Sequence, residues 1–252
     1  MLKLSIIIPA YNEAKRIIKT LNNYYRFFHR KFRNDFEIII VPNNCTDNTF
    51  DVVKKFSRNK KNIIIKNIPY FVGKGGAIRE AVYLARGKFV GFVDADNSTK
   101  PSAFYNLYTK INGYDGIIAS RWIAGAIVNK KQPLTRRIAS RTFNLLVRTL
   151  FRINLRDTQC GAKLFRQAPL LKIIPQLSTT QWAFDIDLLY KFKISNYSIK
   201  EIPTVWDDDP NSKLNVIKAS TEMFLAIIRL RLIHSPFKFI VDAYGVLTKR
   251  FK

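Results

Sequence analysis

The sequence predicts an α/β fold on a mostly parallel central sheet, and three observations predict it. Short β-branched runs alternate with longer amphipathic stretches through the first half of the chain, which is the pattern of repeated βαβ units. Each run is only four to six residues and rich in Ile and Val, as strands buried on both faces require. Three polar segments, PAYNE, PNNCTD and DADNS, begin where such runs stop. In parallel sheets, that edge is where ligands bind.

Taken in order, strands are expected at Leu4–Ile8, Phe36–Val41, Asn62–Lys66, Phe89–Val93 and Gly116–Ala119. Helices are expected between them at Ala14–Phe32, Thr46–Arg58, Gly75–Arg86 and Pro101–Ile111, each with apolar residues at helical spacing. The second half changes character. Thr135–Arg152 reads as a helix carrying Arg136, Arg137, Arg141 and Arg148, Phe184–Ile194 as another, and Ser198–Ile202 as a strand. From Val216 onward the chain is apolar and basic, and Met223–Ile233 is interrupted only by Arg229 and Arg231. The expected organisation is a catalytic domain over residues 1–214 and a basic amphipathic appendage over 215–252. No internal repeat or low-complexity linker is visible.

Composition narrows the function classes. Hydrophobic residues make up 47% of the 252 and aromatics 13%, which excludes a disordered chain. Two cysteines, Cys45 and Cys160, exclude a disulfide scaffold and suit a reducing, cytoplasmic setting. The opening MLKLSIIIPAYNE is strand-like rather than a signal peptide. No stretch approaches the roughly 20 apolar residues that cross a bilayer, so membrane contact is expected to be peripheral. The 43 Lys and Arg against 18 Asp and Glu leave a net charge of +25, which favours a polyanionic partner: nucleic acid, an anionic membrane surface or a phosphorylated substrate.

The residues with chemistry choose among these. Asp94 and Asp96, one residue apart after an apolar run, suit a hard cation, Mg²⁺ or Mn²⁺, shared with substrate phosphates. The competing reading of such a pair is a solvated loop or helix cap. After the first strand, Pro9, Ala10, Tyr11, Asn12 and Glu13 suit a nucleotide, with Glu13 near the ribose or base; Asn12 alternatively caps the next helix. Val72-Gly73-Lys74-Gly75-Gly76 offers glycines for close backbone approach and a lysine for phosphate. It is neither a Walker loop nor a dinucleotide fingerprint, which removes the main support for NTPase and dehydrogenase readings.

Together these segments resemble the inverting family-2 glycosyltransferases of GT-A fold, and more closely the polyprenyl-phosphate sugar synthases that make dolichyl-phosphate glucose and mannose. The resemblance spans Lys3 to Leu214 and rests on IIIPAYNE (6–13), NNCTDNT (43–49), GKGGAIREA (73–81), DADNS (94–98), SR (120–121), DTQCGAKLF (157–165), WAFDIDLL (182–189) and EIPTVWDDDPNSKL (201–214). It implies a Rossmann-like fold and metal-dependent transfer of a hexose from a nucleotide-diphosphate sugar to a polyprenyl phosphate. It assigns Pro9, Ala10, Tyr11, Glu13, Lys74 and Ala95 to the nucleotide, Asp94 and Asp96 to the metal, and Arg121, Arg136 and Ser140 to the acceptor phosphate. Asp157, Gln159, Trp182, Asp185 and Asp187 are assigned to the sugar pocket, and Lys213 to a loop over the diphosphate. The chain departs from the family at Asn43, where a base-reading Asp is usual, and at Asp187, where many relatives carry Glu. An amide both donates and accepts, so uracil fits and a guanine donor stays open; UDP is preferred because the later motifs resemble the glucosyl branch more closely.

A phosphate acceptor fits the second half. A sugar hydroxyl needs a general base, whereas a phosphate monoester, with a second pKa of ~6, needs only cations to gather it beside the diphosphate. Arg121, Lys130, Lys131, Arg136, Arg137 and Arg141 supply them. The tail beyond Lys213 adds basic residues among Met223, Phe224, Leu225, Phe237 and Phe239. It suits peripheral docking at the cytoplasmic face of a membrane, with packing on the domain or a homo-oligomer contact as alternatives. The sequence leaves three rivals. One is a transferase acting on a sugar hydroxyl, with Asp185 or Asp187 as base. Another is a nucleic-acid-binding protein, which leaves the Asp94–Asp96 pair unexplained. The third is an inactive scaffold, which the intact carboxylates disfavour.

Overall fold

The computed structural model describes residues 2–129, 134–178, 181, 183–207, 216–237, 239 and 241. The elements run β1 (Leu2–Ala10), α1 (Ile17–Phe32), β2 (Phe36–Pro42), α2 (Thr49–Ser57), β3 (Ile63–Ile65), α3 (Gly73–Val82), β4 (Gly87–Phe92), α4 (Pro101–Lys110), β5 (Gly116–Ser120), β6 (Ile127–Val128), α5 (Leu134–Phe151), β7 (Lys163–Arg166), α6 (Gln167–Ile173), α7 (Phe184–Ile194), β8 (Ile199–Pro203), β9 (Val205–Trp206) and α8 (Val216–Ile233). Every expected strand and helix forms, with ends shifted by a few residues, and α7 has the bounds read from the sequence.

Seven strands make one sheet in the order β3-β2-β1-β4-β7-β5-β8. Four of its pairings are parallel; β7 runs antiparallel to both β4 and β5. Strands β6 and β9 form a separate parallel pair. The α/β expectation therefore holds, with one reversed strand that periodicity did not reveal. Side chains alternate across a strand, so Ile7, Ile39, Val41 and Phe92 face a core with α3, α5, α6, α7 and α8. Leu4, Ile6, Ile8 and Ile38 face the other, with α1, α2 and α4. The result is three layers, the sheet in the middle.

The parallel strands β1, β2, β4 and β5 all end on one edge, at Ala10, Pro42, Phe92 and Ser120. A strand running the other way begins where its neighbours end, so the loop before β7 arrives at the same edge. Helix α8 packs on α5 and buries Ile227 and Leu230 in the first of the two cores.

Candidate active site

The site is built on that edge. Asp94 and Asp96 follow β4 in a turn that buries Ala95 between the two half-buried carboxylates. The Ala95 carbonyl accepts a hydrogen bond from Thr20 Oγ1 at 2.6 Å, tying the turn to α1. Asp96 accepts from the Ser98 amide at 2.9 Å. Asp94 Oδ1 lies 2.7 Å from Lys74 Nζ, with both side chains about one-third exposed. Burial alone would raise the Asp94 pKa, but Lys74, and after it Lys163 and Arg121, bring it below the usual carboxylate range. Asp96 is held above that range by burial and then by the Asp94 charge. Two neighbouring carboxylates pushed apart in this way are a frequent mark of a functional site.

The donor set fits a hard divalent cation such as Mg²⁺ or Mn²⁺, and the neighbouring backbone leaves it room. A Cβ on Gly161 would fall 1.9 Å from Asp94 Oδ2, so only glycine at that position allows the carboxylate its place. Among the described residues no group of three or more His, Cys, Asp or Glu is placed to hold a metal ion. Asp94 and Asp96 by themselves would supply only part of such a cation's oxygen ligands.

Behind it lies a ladder of alternating charges. Lys74 Nζ is 4.0 Å from Asp185 Oδ2. Asp185 Oδ1 accepts from Lys163 Nζ at 2.6 Å, and Lys163 also donates to the Cys160 carbonyl at 2.7 Å. Lys163 is fully buried. A buried ammonium persists only when paired, and its partner comes from α7, 22 residues on. Lys163 is not among the site residues expected from the sequence; its signal there is a lysine inside the apolar run AKLF. Burial pushes the adjacent Cys160 thiol up to about 12, consistent with its reading as a small reduced side chain.

Arg121, just past β5, forks onto Asp157: Nε to Oδ2 at 2.8 Å and Nη2 to Oδ1 at 2.9 Å, with its amide also donating to Oδ2. The expected acceptor arginine and the expected sugar-pocket carboxylate thus meet as a bidentate pair. Its guanidinium lies 5.0 Å from the Trp206 ring and 5.7 Å from the Trp122 ring, and Arg141 of α5 lies 5.0 Å from Trp122. Among the described residues the buried Nε1 atoms of Trp122 and Trp206, and Ser98 Oγ, have no hydrogen-bond partner. Neither tryptophan was singled out from the sequence.

At the ends of β1 and β2, where the nucleotide was expected, Ala10 ends β1, Tyr11 is exposed, and Asn43 is buried with Nδ2 donating to the Ala10 carbonyl at 3.1 Å. Asn43 therefore joins the ends of β1 and β2. Glu13 forms a two-pronged pair with Arg16, both contacts at 2.7 Å. Its pKa is raised by burial, which outweighs the lowering from Arg16.

Three readings are corrected. Asn12 does not cap α1: its φ is 54° and its amide bridges to Thr46 at 2.8 and 3.1 Å, clasping the loops after β1 and β2. Gly75 serves packing rather than ligand approach, because a Cβ there would lie 2.4 Å from the Phe184 ring of α7; the left-handed turn falls at Gly73, with φ of 69°. Asp187 is fully buried with its oxygens on the Ser178 amide at 2.6 Å and His234 Nε2 at 3.0 Å. It pins α8 to α7, a poor arrangement for a general base. Gln159 and Ser140 are half-buried on the loop before β7 and on α5. The side chain of Arg136, together with Lys130, Lys131, Trp182, Lys213 and the 208–215 segment, lies outside the described residues.

Comparison with known proteins agrees with this geometry. Residues 5–174 match the family described as Glycosyl transferase family 2. The dolichyl-phosphate beta-glucosyltransferase of Dictyostelium discoideum is 33% identical over 241 residues, 90% of this chain and 73% of that protein. The enzymes of the same name from Saccharomyces cerevisiae and Homo sapiens are 32% and 31% identical, each covering 91% of this chain and 74% and 75% of theirs. Among solved structures, glucosyl-3-phosphoglycerate synthase from Mycobacterium tuberculosis in complex with Mn²⁺, UDP and phosphoglyceric acid superposes with a TM-score of 0.70 at 15% identity, over 91% of this chain and 78% of that one. Mannosyl-3-phosphoglycerate synthase from Rubrobacter xylanophilus gives 0.65 at 15%, over 94% and 76%. These two share the fold. The carboxylate pair at the strand edge, the sheet order and the extent of the sequence match make this chain a member of glycosyl transferase family 2.

Proposed function

We propose that the chain transfers glucose, with inversion, from UDP-glucose to a polyprenyl phosphate of the dolichyl type. The observation that carries this reading is the likeness, over about nine-tenths of the chain, to proteins named dolichyl-phosphate beta-glucosyltransferase. Asp94 and Asp96 would hold Mg²⁺ or Mn²⁺, as the Mn²⁺–UDP complex of a structural relative suggests; when bound, the ion supplies charge neutralisation for the departing diphosphate. Around it, this chain's residues orient the reactants. Asn43, Glu13 and Tyr11 flank the nucleoside side of the edge, and Arg121, fixed by Asp157, presents a preorganised cation on the other. The acceptor phosphate needs no general base, which agrees with the commitments of Asp187 to His234 and of Asp185 to Lys163.

The described residues contain no helix long and apolar enough to cross a membrane. Peripheral docking at the cytoplasmic face of an anionic leaflet is supported by exposed Leu134, Ile138 and Leu145 on α5 and Phe224 and Leu225 on the adjoining α8. The three α5 residues share one helical face with Arg141, a mixed apolar and basic surface suited to an interface. In this reading the 215–252 segment is a docking element of the 1–214 body.

The test is transfer from radiolabelled UDP-glucose, UDP-N-acetylglucosamine and GDP-mannose, with Mn²⁺ or Mg²⁺, to a short polyprenyl phosphate, with free polyprenol as control. Metal-dependent glucose transfer to the phosphate alone is expected. Label on added oligosaccharide instead would move the assignment to a hydroxyl acceptor. Arg121→Ala should raise the acceptor KM roughly ten- to a hundredfold, the loss of a charge-assisted pair, and change the donor KM far less; equal changes in both would remove Arg121 from the acceptor side.

A further inference from the structure

The ammonium of Lys74 is paired with one of the two carboxylates that would hold a metal ion. At 2.7 Å from Asp94 Oδ1 it takes an oxygen that a divalent cation needs. It lies in the first turn of α3, where the partial positive charge of the helix end disfavours a cation and favours an anion. Its hold therefore depends on Asp94 and Asp185 rather than on its own helix. A second carboxylate oxygen, on Asp185, stands 4.0 Å away and is kept in place by fully buried Lys163. With a third of its side chain exposed, Lys74 is free to swing toward Asp185 or toward an incoming anion.

We infer that Lys74 is a built-in counter-cation that must leave Asp94 before a divalent cation binds there, and that it thereby makes metal and donor binding depend on each other. Metal alone must evict the ammonium from its strongest partner and leave it beside Asp185 with a new positive charge nearby. Metal with a nucleoside diphosphate gives the ammonium phosphate oxygens in exchange. The ion is thus taken up well only together with the donor. Linkage requires the reciprocal effect, so metal raises donor affinity by the same factor. The inference rests on the assignment of Asp94 and Asp96 to a metal, and it goes beyond it by giving Lys74 a part in the order of binding.

The experiment is a Mn²⁺ titration of the whole chain followed by electron paramagnetic resonance of free Mn²⁺, with and without UDP, in the natural protein, Lys74→Met and Lys74→Arg. In the natural protein UDP should tighten Mn²⁺ binding by on the order of fiftyfold, within the usual range of coupling between sites. Lys74→Met should bind Mn²⁺ alone roughly tenfold more tightly than the natural protein and lose most of the UDP effect. Lys74→Arg, which keeps the cation, should retain weak binding of Mn²⁺ alone. If Lys74→Met binds Mn²⁺ alone no more tightly while the natural protein still shows UDP-dependent binding, the counter-cation role is overturned and the metal assignment stands. If the natural protein binds no Mn²⁺ even with UDP, the metal assignment itself fails and takes the inference with it.

Discussion

The two ends of the central sheet carry carboxylates under opposite conditions. At the starting end of β2, Glu37 is completely buried, yet every contact around it is favourable. Ser5 Oγ donates at 2.6 Å, the Arg86 amide at 2.7 Å, and the Arg86 guanidinium at 2.7 and 2.9 Å. At the finishing end of β4, two carboxylates stand one residue apart; Lys74 pairs closely with Asp94, and the Asp94 charge adds to the burial that raises the Asp96 pKa. The first cluster is closed and its charges are satisfied internally. In the second, Asp96 ionises only at a cost, which a cation placed beside it would relieve. A satisfied carboxylate contributes to the fold, and an under-satisfied one is a place for chemistry.

Mutations at the two ends should therefore fail in different ways. The largest effect is expected at the open end. Asp94→Asn or Asp96→Asn should lower turnover by on the order of a thousandfold, the scale of several kcal/mol of lost charge stabilisation, while the protein stays folded. For Asp96 the sign of the stability change can be worked out. Its folded-state pKa is raised, first by burial and then by Asp94, so the ionised side chain costs stability above that pKa. Metal-free Asp96→Asn should melt at a higher temperature than the natural protein at neutral pH. The gap should close as pH falls through the raised pKa, where the natural side chain is also neutral. A lower Tm at pH 7 would contradict the strain assigned to this end.

Gly161→Ala sharpens the comparison without altering a charge. Its methyl group must displace the Asp94 carboxylate, and a shift of about 1 Å at a reacting centre costs roughly a hundredfold in turnover. Steady-state kinetics beside a melting curve would separate this from unfolding. The smallest catalytic effect is expected at the closed end. Glu37→Ala should lower stability by about 2 kcal/mol, since Ser5 and the Arg86 amide lose a partner while the exposed Arg86 guanidinium remains solvated. Denaturant unfolding should record that loss, and turnover per folded molecule should hardly change. A large drop in turnover there would erase the distinction between the two ends.

How much of this could be read from the sequence follows the same division between local and distant causes. Strands β1, β2, β4 and β5 are legible because continuous Ile and Val runs need no partner to be recognised, and α7 because its helical residues form one unbroken block from Phe184 to Ile194. The Asp94–Asp96 pair was legible from its place after an apolar run. Strand β7 was not: it has four residues, opens with a lysine, and is strand-like only once β4 and β5 are laid on either side of it. The pairing of Arg121 with Asp157, 36 residues apart, and of Lys163 with Asp185 is equally invisible to a local pattern. The role of Gly75 was misread for the same reason, because the ring that excludes a side chain there comes from residue 184.

Strand β7 has a consequence for how such a protein can change over time. Among the described residues it is the only reversed strand of the sheet, and it lies between β4, which leads to the carboxylate pair, and β5, which leads to Arg121. The stretch matched to the family ends at residue 174, just after β7 and α6. Of the later elements, β8 pairs with β5 and α8 packs on α5, while α7 reaches back to pack on α3 and α6. Substitutions in β9 would therefore be felt on both sides of it, because Trp206 bridges to Thr99 beside the carboxylate turn and lies 5.0 Å from the Arg121 guanidinium.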